Sequence, residues 1–270
     1  MKLSEKEKVR LRTAYGPWAL VTGASSGIGL ELSRLLASAG FDVVVHGRRA
    51  LLLQRLAEEF TKQYGVQTVV VSSDLSTEEG VHEVSTVTAD KDIGLFVGSA
   101  GFGTSGLFHQ SKLEDEIVML RVNVDALLRL THHFSQRFVA RGKGGIILLS
   151  SMVSFQGVPY AAHYASTKAY VQSLGEALAH ELMPYGVDVL TAAPGPVRSG
   201  FESRAGLHMN LTMKPEQIAV PILKALGKES TLLPGLLTKV LVGALRTVPR
   251  WGKVMIMQKV MGGMTAHQRS

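Results

Sequence analysis

Trp18-Ala-Leu-Val-Thr22-Gly-Ala-Ser-Ser-Gly-Ile-Gly29 is the stretch from which the fold of this chain is read. The apolar run from Trp18 to Val21 has the length of a buried strand and enters a glycine-rich turn. Leu30 to Ala39 (LELSRLLASA) then carries apolar residues at helical spacing and stops at Gly40. The order is strand, loop, helix. In that order Gly23 permits the tight turn, Gly27 the close approach of backbone to a diphosphate, and Gly29 close packing of helix on strand. The amides of Ser25, Ser26, Gly27 and Ile28 and the positive end of the helix dipole would then face the phosphates. A glycine triad alone is equally an ordinary flexible turn; its place directly after the first strand favours the nucleotide.

A second stretch, Tyr164-Ala-Ser-Thr-Lys168, puts a phenol and an ammonium on one helix face, four residues apart, with Ser151 upstream. A tyrosine with a pKa near 10 is a poor acid or base at neutral pH, and a lysine cation beside it stabilises the phenolate and lowers that pKa. The serine hydroxyl can polarise a substrate carbonyl. Such pairs also arise on solvated helix faces, so the pair carries weight only beside the glycine loop.

Together these features resemble the short-chain dehydrogenase/reductase family, over about Trp18 to Phe201, and most closely its ketoacyl and hydroxysteroid reductase-like branch. The family's Thr-Gly-x-x-x-Gly-x-Gly stands as Thr22 to Gly29, and its Asn-Ala-Gly element as Ser99-Ala100-Gly101. Asn123 in Arg121-Val-Asn-Val matches the family's helix-borne asparagine. Pro194-Gly195, Val197 and Ser199 match its later Pro-Gly element. Gly98-Ser99 departs from two asparagines common in the family, which bears on how the fourth strand is braced.

The resemblance implies an NAD(P)-dependent oxidoreductase acting on CH–OH and C=O groups. Tyr164 would give the proton, Ser151 would hold the carbonyl oxygen, Lys168 would lower the tyrosine pKa and hold the nicotinamide ribose, and Asn123 would fix a relay water. Ser99, Ala100, Gly101, Pro194, Gly195, Val197 and Ser199 would join the glycine loop in holding the cofactor, and Asp74-Leu75 would hold adenine.

The end of the second strand, Val43-Val-Val-His-Gly-Arg48-Arg49, speaks to cofactor choice. An acid there would accept a ribose 2′-hydroxyl, whereas arginine complements a 2′-phosphate by charge and bidentate hydrogen bonding. No acid occurs from Val43 to Arg55, so NADP(H) is expected over NAD(H), with Ser25 as a further phosphate contact.

Strand and helix patterns alternate through the chain. They predict a single α/β domain over 1–270, a Rossmann fold with a doubly wound parallel sheet of about seven strands and helices on both faces. The strands are Trp18-Val21, Asp42-His46, Thr68-Ser72, Gly94-Gly98, Gly145-Leu149, Val187-Ala192 and Thr231-Leu233. Long helices over 113–140 and 161–183 carry Asn123 and the Tyr/Lys pair.

At 270 residues, 46% hydrophobic and 19% charged, the chain can bury a sizeable core. It has no cysteine, which excludes disulfides and thiolate metal sites and fits a reducing cytoplasm. Residues 1–16 form a polar N-terminal extension without a secretory apolar core. Of nine histidines, adjacent His132 and His133 point apart on a helix and the others are scattered, so no metal is expected. His163 reads as a packing or pocket residue.

The net charge is +7, yet the basic residues accompany no nucleic-acid motif and no nucleic acid is expected. Residues 231–270 hold six Lys/Arg and no Asp/Glu among apolar residues. This basic apolar segment could meet a membrane surface weakly, or serve only as a substrate cover or subunit contact. The resemblance implies that residues 199–215, after the Pro-Gly element, form a substrate lid; FESRAGLHMNLTM at their centre and Met255, Met257, Met261 and Met264 beyond would give it a bulky apolar pocket. The resemblance further implies a homodimer or homotetramer, since members of this family commonly assemble through these two long helices, which here are apolar at Val122, Val124, Leu127, Leu128 and Leu130. A catalytically silent dinucleotide-binding regulator, or a membrane-surface protein, is the alternative reading.

Overall fold

The structure, a computed structural model, describes residues 2–208 and 212–268, with the side chains of Ser203 and Leu237 left out. Seven parallel strands form one sheet in the order β3-β2-β1-β4-β5-β6-β7. They are β1 Trp18–Thr22, β2 Asp42–Gly47, β3 Thr68–Ser72, β4 Ile93–Gly98, β5 Gly144–Leu149, β6 Val187–Ala192 and β7 Thr231–Leu232. The expected strands are all present, with β7 shorter and β1, β2, β4 and β5 longer by one residue at one end. Strand order reverses at β1, which pairs with β2 on one side and β4 on the other. A crevice opens there beyond the carboxyl ends of the strands.

Successive side chains of a strand point to opposite faces, and here both faces are buried. Ala19, Val21, Val43, Val45, Leu95 and Val97 pack on one side with Leu32 and Leu36 of α2 (Gly27–Ser38) and Ile218 and Leu223 of α9 (Pro215–Ala225). Leu20, Val44 and Phe96 pack on the other with Leu130, Phe134 and Phe138 of α6 (Leu127–Arg141) and Val171 of α7 (Ala162–Leu182). α3 (Ala50–Tyr64) joins the first face and α4 (Glu78–Val87) the second.

The N-terminal extension is a docked helix, α1 (Glu5–Tyr15), capped by Ser4 and not merely a polar tail. Leu11 and Tyr15 are buried, the Tyr15 hydroxyl lies 2.7 Å from Asp188 Oδ2, and Arg10 donates to the carbonyls of Leu223 and Leu226. Its sparse apolar residues hid this in the sequence. The first long helix is also not uniform. α5 (Leu113–Leu120) passes through one π-helical turn, Arg121–Ala126, before α6. That turn carries Asn123, and such insertions concentrate at functional sites.

The fourth strand is braced without the family's asparagines. Thr22 Oγ1 accepts from the amides of Ser99 (3.1 Å) and Ala100 (3.2 Å) and lies 3.3 Å from the Val97 carbonyl. Leu127 fills the space beside Gly98.

Candidate active site

The glycine loop joins β1 to α2 at the crevice. Gly23 (φ 71°) and Gly27 (φ 59°) lie in the left-handed region that favours glycine. A Cβ on Gly29 would stand 2.5 Å from the Gly23 carbonyl oxygen. The tight packing expected of Gly29 against the strand is thus a constraint inside the loop. A Cβ on Gly27 would meet Ser199 at 2.9 Å, so the late Pro-Gly segment closes on the same loop.

The two arginines after β2 have separate partners. Arg49 clasps Ser25, donating to its hydroxyl (3.0 and 3.2 Å) and its carbonyl (3.1 Å). Arg48 is half-exposed, 3.9 Å from Asp74. Burial would raise the Asp74 pKa, but hydrogen bonds from Ser76 and the charges of Arg48 and Arg204 outweigh it and hold the carboxyl low. His46 is buried at the end of β2 and faces the Ser73 carbonyl at 3.2 Å; burial pulls its pKa down to about 4, so it stays neutral.

Tyr164, Lys168, Ser151 and Asn123 converge beyond β4 and β5. Tyr164 and Lys168 ride one face of α7, with the Lys168 ammonium 6.0 Å from the Tyr164 ring centre and donating to the Leu149 carbonyl at 2.8 Å. The Ser150 hydroxyl donates to the Lys168 carbonyl at 2.9 Å, tying helix to strand. Burial lowers the Lys168 pKa to about 8. Burial also raises the Tyr164 phenol to about 12, against a hydrogen bond with Ser151 that pulls it down.

The phenol is therefore raised, contrary to the lowering expected from its lysine, because desolvation outweighs the other influences on it. Both groups keep their protons at neutral pH, the state from which a phenol can donate one. Asn123 is buried, with its oxygen accepting from the Phe102 amide (3.1 Å) and its nitrogen donating to the Phe102 carbonyl (2.8 Å) and Thr167 hydroxyl (3.1 Å). It clamps the 99–104 loop to α7. A Cβ on Gly101 would lie 3.0 Å from the Asn123 oxygen and 3.3 Å from the Lys168 ammonium.

One cavity of about 780 Å³ runs from the glycine loop past Tyr164 to an apolar wall. Its volume lies within the range of small-molecule and cofactor sites. The wall comes from Leu241 and Leu245 of α10 (Leu236–Arg246) and from Met257, Val260, Met261 and Met264 of α11 (Arg250–Met264). Glycines without room for side chains, two guanidinium groups and a continuous cleft fit a dinucleotide.

A model of the short chain dehydrogenase family matches residues 17–209. The chain belongs to the short-chain dehydrogenase/reductase family. It is 32% identical over 236 residues to a 7beta-hydroxysteroid dehydrogenase of Collinsella aerofaciens, covering 84% of this chain and 89% of that one. A solved 7beta-hydroxysteroid dehydrogenase structure superposes with a TM-score of 0.85 at 29% identity, over 92% of this chain and 98% of that one. A short-chain dehydrogenase from Sphingobium yanoikuyae in complex with NADPH gives a TM-score of 0.77 at 28% identity, over 92% and 96%. This short-chain dehydrogenase/reductase is an NAD(P)-dependent oxidoreductase acting on alcohol and ketone groups.

The expected site residues of this dehydrogenase lie around this cavity: Gly23, Ser25, Ser26, Gly27, Ile28, Arg48, Arg49, Asp74, Leu75, Ser99, Ala100, Gly101, Ser151, Tyr164, Lys168, Pro194, Gly195, Val197 and Ser199 line it. Gly29 and Asn123 stand behind the lining. The lid is only partly as expected. Phe201 of α8 (Phe201–Ala205) packs on Tyr164 with ring centres 5.2 Å apart, and Leu207 lines the cavity. Met213 is instead at the base of the lid, bridged to Val197 and packed on the core. Met255 is exposed and lies outside the lining. Met209 and Leu211 lie outside the described residues.

Sequence reasoning missed several residues of the site. Arg204 lies 3.7 Å over the Phe102 ring and feels the charges of Arg48 and Asp74 across the cleft. Thr238 of α10, fully buried, accepts from the Gly195 amide at 3.1 Å and ties the C-terminal segment to the Pro-Gly element. Buried Glu116 binds His163 (2.7 Å) and Thr104 (3.2 Å) beside α7, which gives His163 its packing role. An exposed-looking Arg or an isolated Glu in sequence carries no periodicity that marks such a position. Among the described residues no three His, Asp or Glu side chains group to hold a metal.

Proposed function

We propose that this dehydrogenase reduces bulky apolar ketones, or oxidises the matching secondary alcohols, with NADP(H) in preference to NAD(H). The observation that carries the reading is the continuity of the cavity, from Arg48 and Arg49 past the Tyr164 hydroxyl to a wall of leucine, valine and methionine. The similarity to 7beta-hydroxysteroid dehydrogenases supports it, since a hydroxysteroid is a bulky, largely apolar secondary alcohol.

The glycine loop, Asp74-Leu75, Ser99 to Gly101 and the Pro194 to Ser199 segment would hold the dinucleotide, which when bound supplies the hydride. Ser151 hydrogen-bonds the carbonyl oxygen and fixes its position near the phenol. Tyr164, neutral because burial holds its pKa at about 12, donates a proton to that oxygen. Lys168 keeps its charge below about pH 8, which favours the phenolate left behind. Asn123 holds the Phe102 backbone and α7 in register, with its oxygen beside Gly101 and the Lys168 ammonium. Phe201, packed on the Tyr164 ring, covers this corner.

The protein also works as a homo-oligomer in this reading. Leu113, Ile117, Leu120 and Leu128 leave an exposed apolar stripe along α5 and α6, whereas Leu127 and Leu130 turn into the core. A monomeric mass in light scattering at micromolar concentration would overturn that part. For the reaction, the purified protein should consume NADPH with polycyclic or long-chain ketones. Cofactor binding with no turnover across such a panel would sink the catalytic reading and favour a silent dinucleotide-binding regulator.

A further inference from the structure

The cavity does not end inside the protein. Leu241, Ile256 and Val260 line it and are also 39%, 41% and 43% exposed, so its α10 and α11 side is apolar and accessible to solvent. The apolar surface continues outward from that side. Leu236, Val240 and Ala244 repeat every four residues as one exposed stripe of α10, and Leu236 is 79% exposed. Trp251, 70% exposed, and Met255, four residues further on, form a second stripe on α11. Exposed apolar residues scattered singly are ordinary, but an apolar surface gathered beside a cavity marks an interaction site.

The charges around this surface have one sign. Lys239, Arg246, Arg250, Lys253 and Lys259 lie on α10 and α11, and residues 231–270 contain no acid. Among the described residues none of these five has an ion-pair partner. The segment accounts for six Lys/Arg against a net charge of +7 for the whole chain. A second copy is therefore a poor occupant: two such faces repel, and the rest of the chain is nearly neutral. Apolar anchors, an exposed tryptophan and flanking cations with no acids match the chemistry of an anionic bilayer surface. No described helix is long and apolar enough to cross a membrane, so these helices would lie on the surface.

We propose that α10 and α11 dock on an anionic lipid surface and turn this side of the cavity toward the bilayer, so that a lipophilic ketone enters from the membrane. The docking stands on the surface alone; the entry route rests on the apolar-substrate reading. Sedimentation with vesicles tests docking without any turnover, so its failure is distinct from failure of the enzymatic reading. The protein should sediment with vesicles of phosphatidylcholine and phosphatidylserine, remain free with phosphatidylcholine alone, and be released by salt. Lys239→Glu with Lys253→Glu should lower partitioning at least about tenfold while NADPH binding is kept. Trp251→Ser should also weaken binding, and less so its salt dependence.

Absence of sedimentation with the anionic vesicles overturns the proposal, as does equal binding by wild type and the double variant. Light scattering supplies a further arm. If Trp251→Ser converts an oligomer to a monomer, the face is a contact between copies and the proposal is wrong.

Discussion

The glycine-loop side of the cavity and its C-terminal wall are built in opposite ways. On the first side backbone geometry sets the shape: two left-handed glycines, a third with no room for a Cβ, and strand-end amides braced by Thr22. On the second side bulk sets it, with methionines and aliphatic side chains on two helices tied down at a few points such as Thr238. The first arrangement suits an invariant ligand whose diphosphate must meet amides at fixed distances. The second tolerates variety, because flexible methionines reshape around different apolar ligands. Tyr164 sits where they meet, packed by Phe201 from the cover and rooted on α7.

The sharpest way to break this division is to remove the one group on which both sides act. Tyr164→Phe deletes the transferable proton and little volume, so ketone reduction should fall about a thousandfold, within the range of general acid catalysis. NADPH binding, measured by fluorescence titration, should stay within a few-fold. A variant keeping a tenth or more of the wild-type turnover would show that Tyr164 is not the acid.

A smaller effect is expected on the cofactor side. Among the described residues Arg48 has one charged partner, Asp74 at 3.9 Å between half-exposed groups, a weak pairing from which it can turn to meet a 2′-phosphate. A charge-assisted contact contributes roughly 1.5–3 kcal/mol, or about ten- to a hundredfold. Arg48→Glu should reduce the NADPH-over-NADH ratio of kcat/KM by that factor. Arg49→Glu should do the same and also lower NADH efficiency, because it releases Ser25 from the glycine loop. Equal efficiency of the wild type with both cofactors would remove the basis of both expectations.

The pH dependence joins the two regions. Burial lowers Lys168 to about 8, so the cation that favours the phenolate is present below that pH and lost above it. Reductive kcat/KM should therefore fall as pH rises through about 8, by up to about tenfold per unit. Phe201 is part of what buries Tyr164, whose pKa stands at about 12 against an ordinary value of 10.0. Phe201→Ala admits water and should bring the phenol back toward that ordinary value. A profile unchanged by Phe201→Ala would mean that the cover does not contribute to the desolvation.

What could be read in the sequence follows the same line. The strands and the glycine loop were legible from local periodicity and the Tyr164/Lys168 pair from its four-residue spacing, whereas Asn123 and Ser151 were picked out by the resemblance to the family. Residues that act through tertiary placement were not. Arg204 belongs to the site because a five-residue helix lays it over Phe102, and Thr238 because its hydroxyl meets Gly195 from 43 residues away. Met213 and Met255 carry the same side chain as Met257 and Met261 but face the core and the solvent, respectively. Composition announced an apolar cover without saying which methionines form it. The raised phenol of Tyr164 was hidden for the same reason, since desolvation depends on everything packed around it.

The smallest effect, and the one that tests the apolar wall directly, is the response to substrate length. Each methylene transferred from water to an apolar wall contributes about 0.8 kcal/mol, or about fourfold in kcat/KM. Along a homologous series of ketones the efficiency should therefore climb about fourfold per carbon and then level off as the cavity fills. Leu241 lines the wall on its exposed side, so Leu241→Ser should flatten the upper part of the series and leave the shortest ketones unaffected. Arg48→Glu should shift the whole series by one factor without changing its slope, because its side chain lies at the cofactor end of the cavity. A slope that is flat in the wild type, or that Arg48→Glu changes and Leu241→Ser does not, would show that the wall of α10 and α11 does not select the substrate.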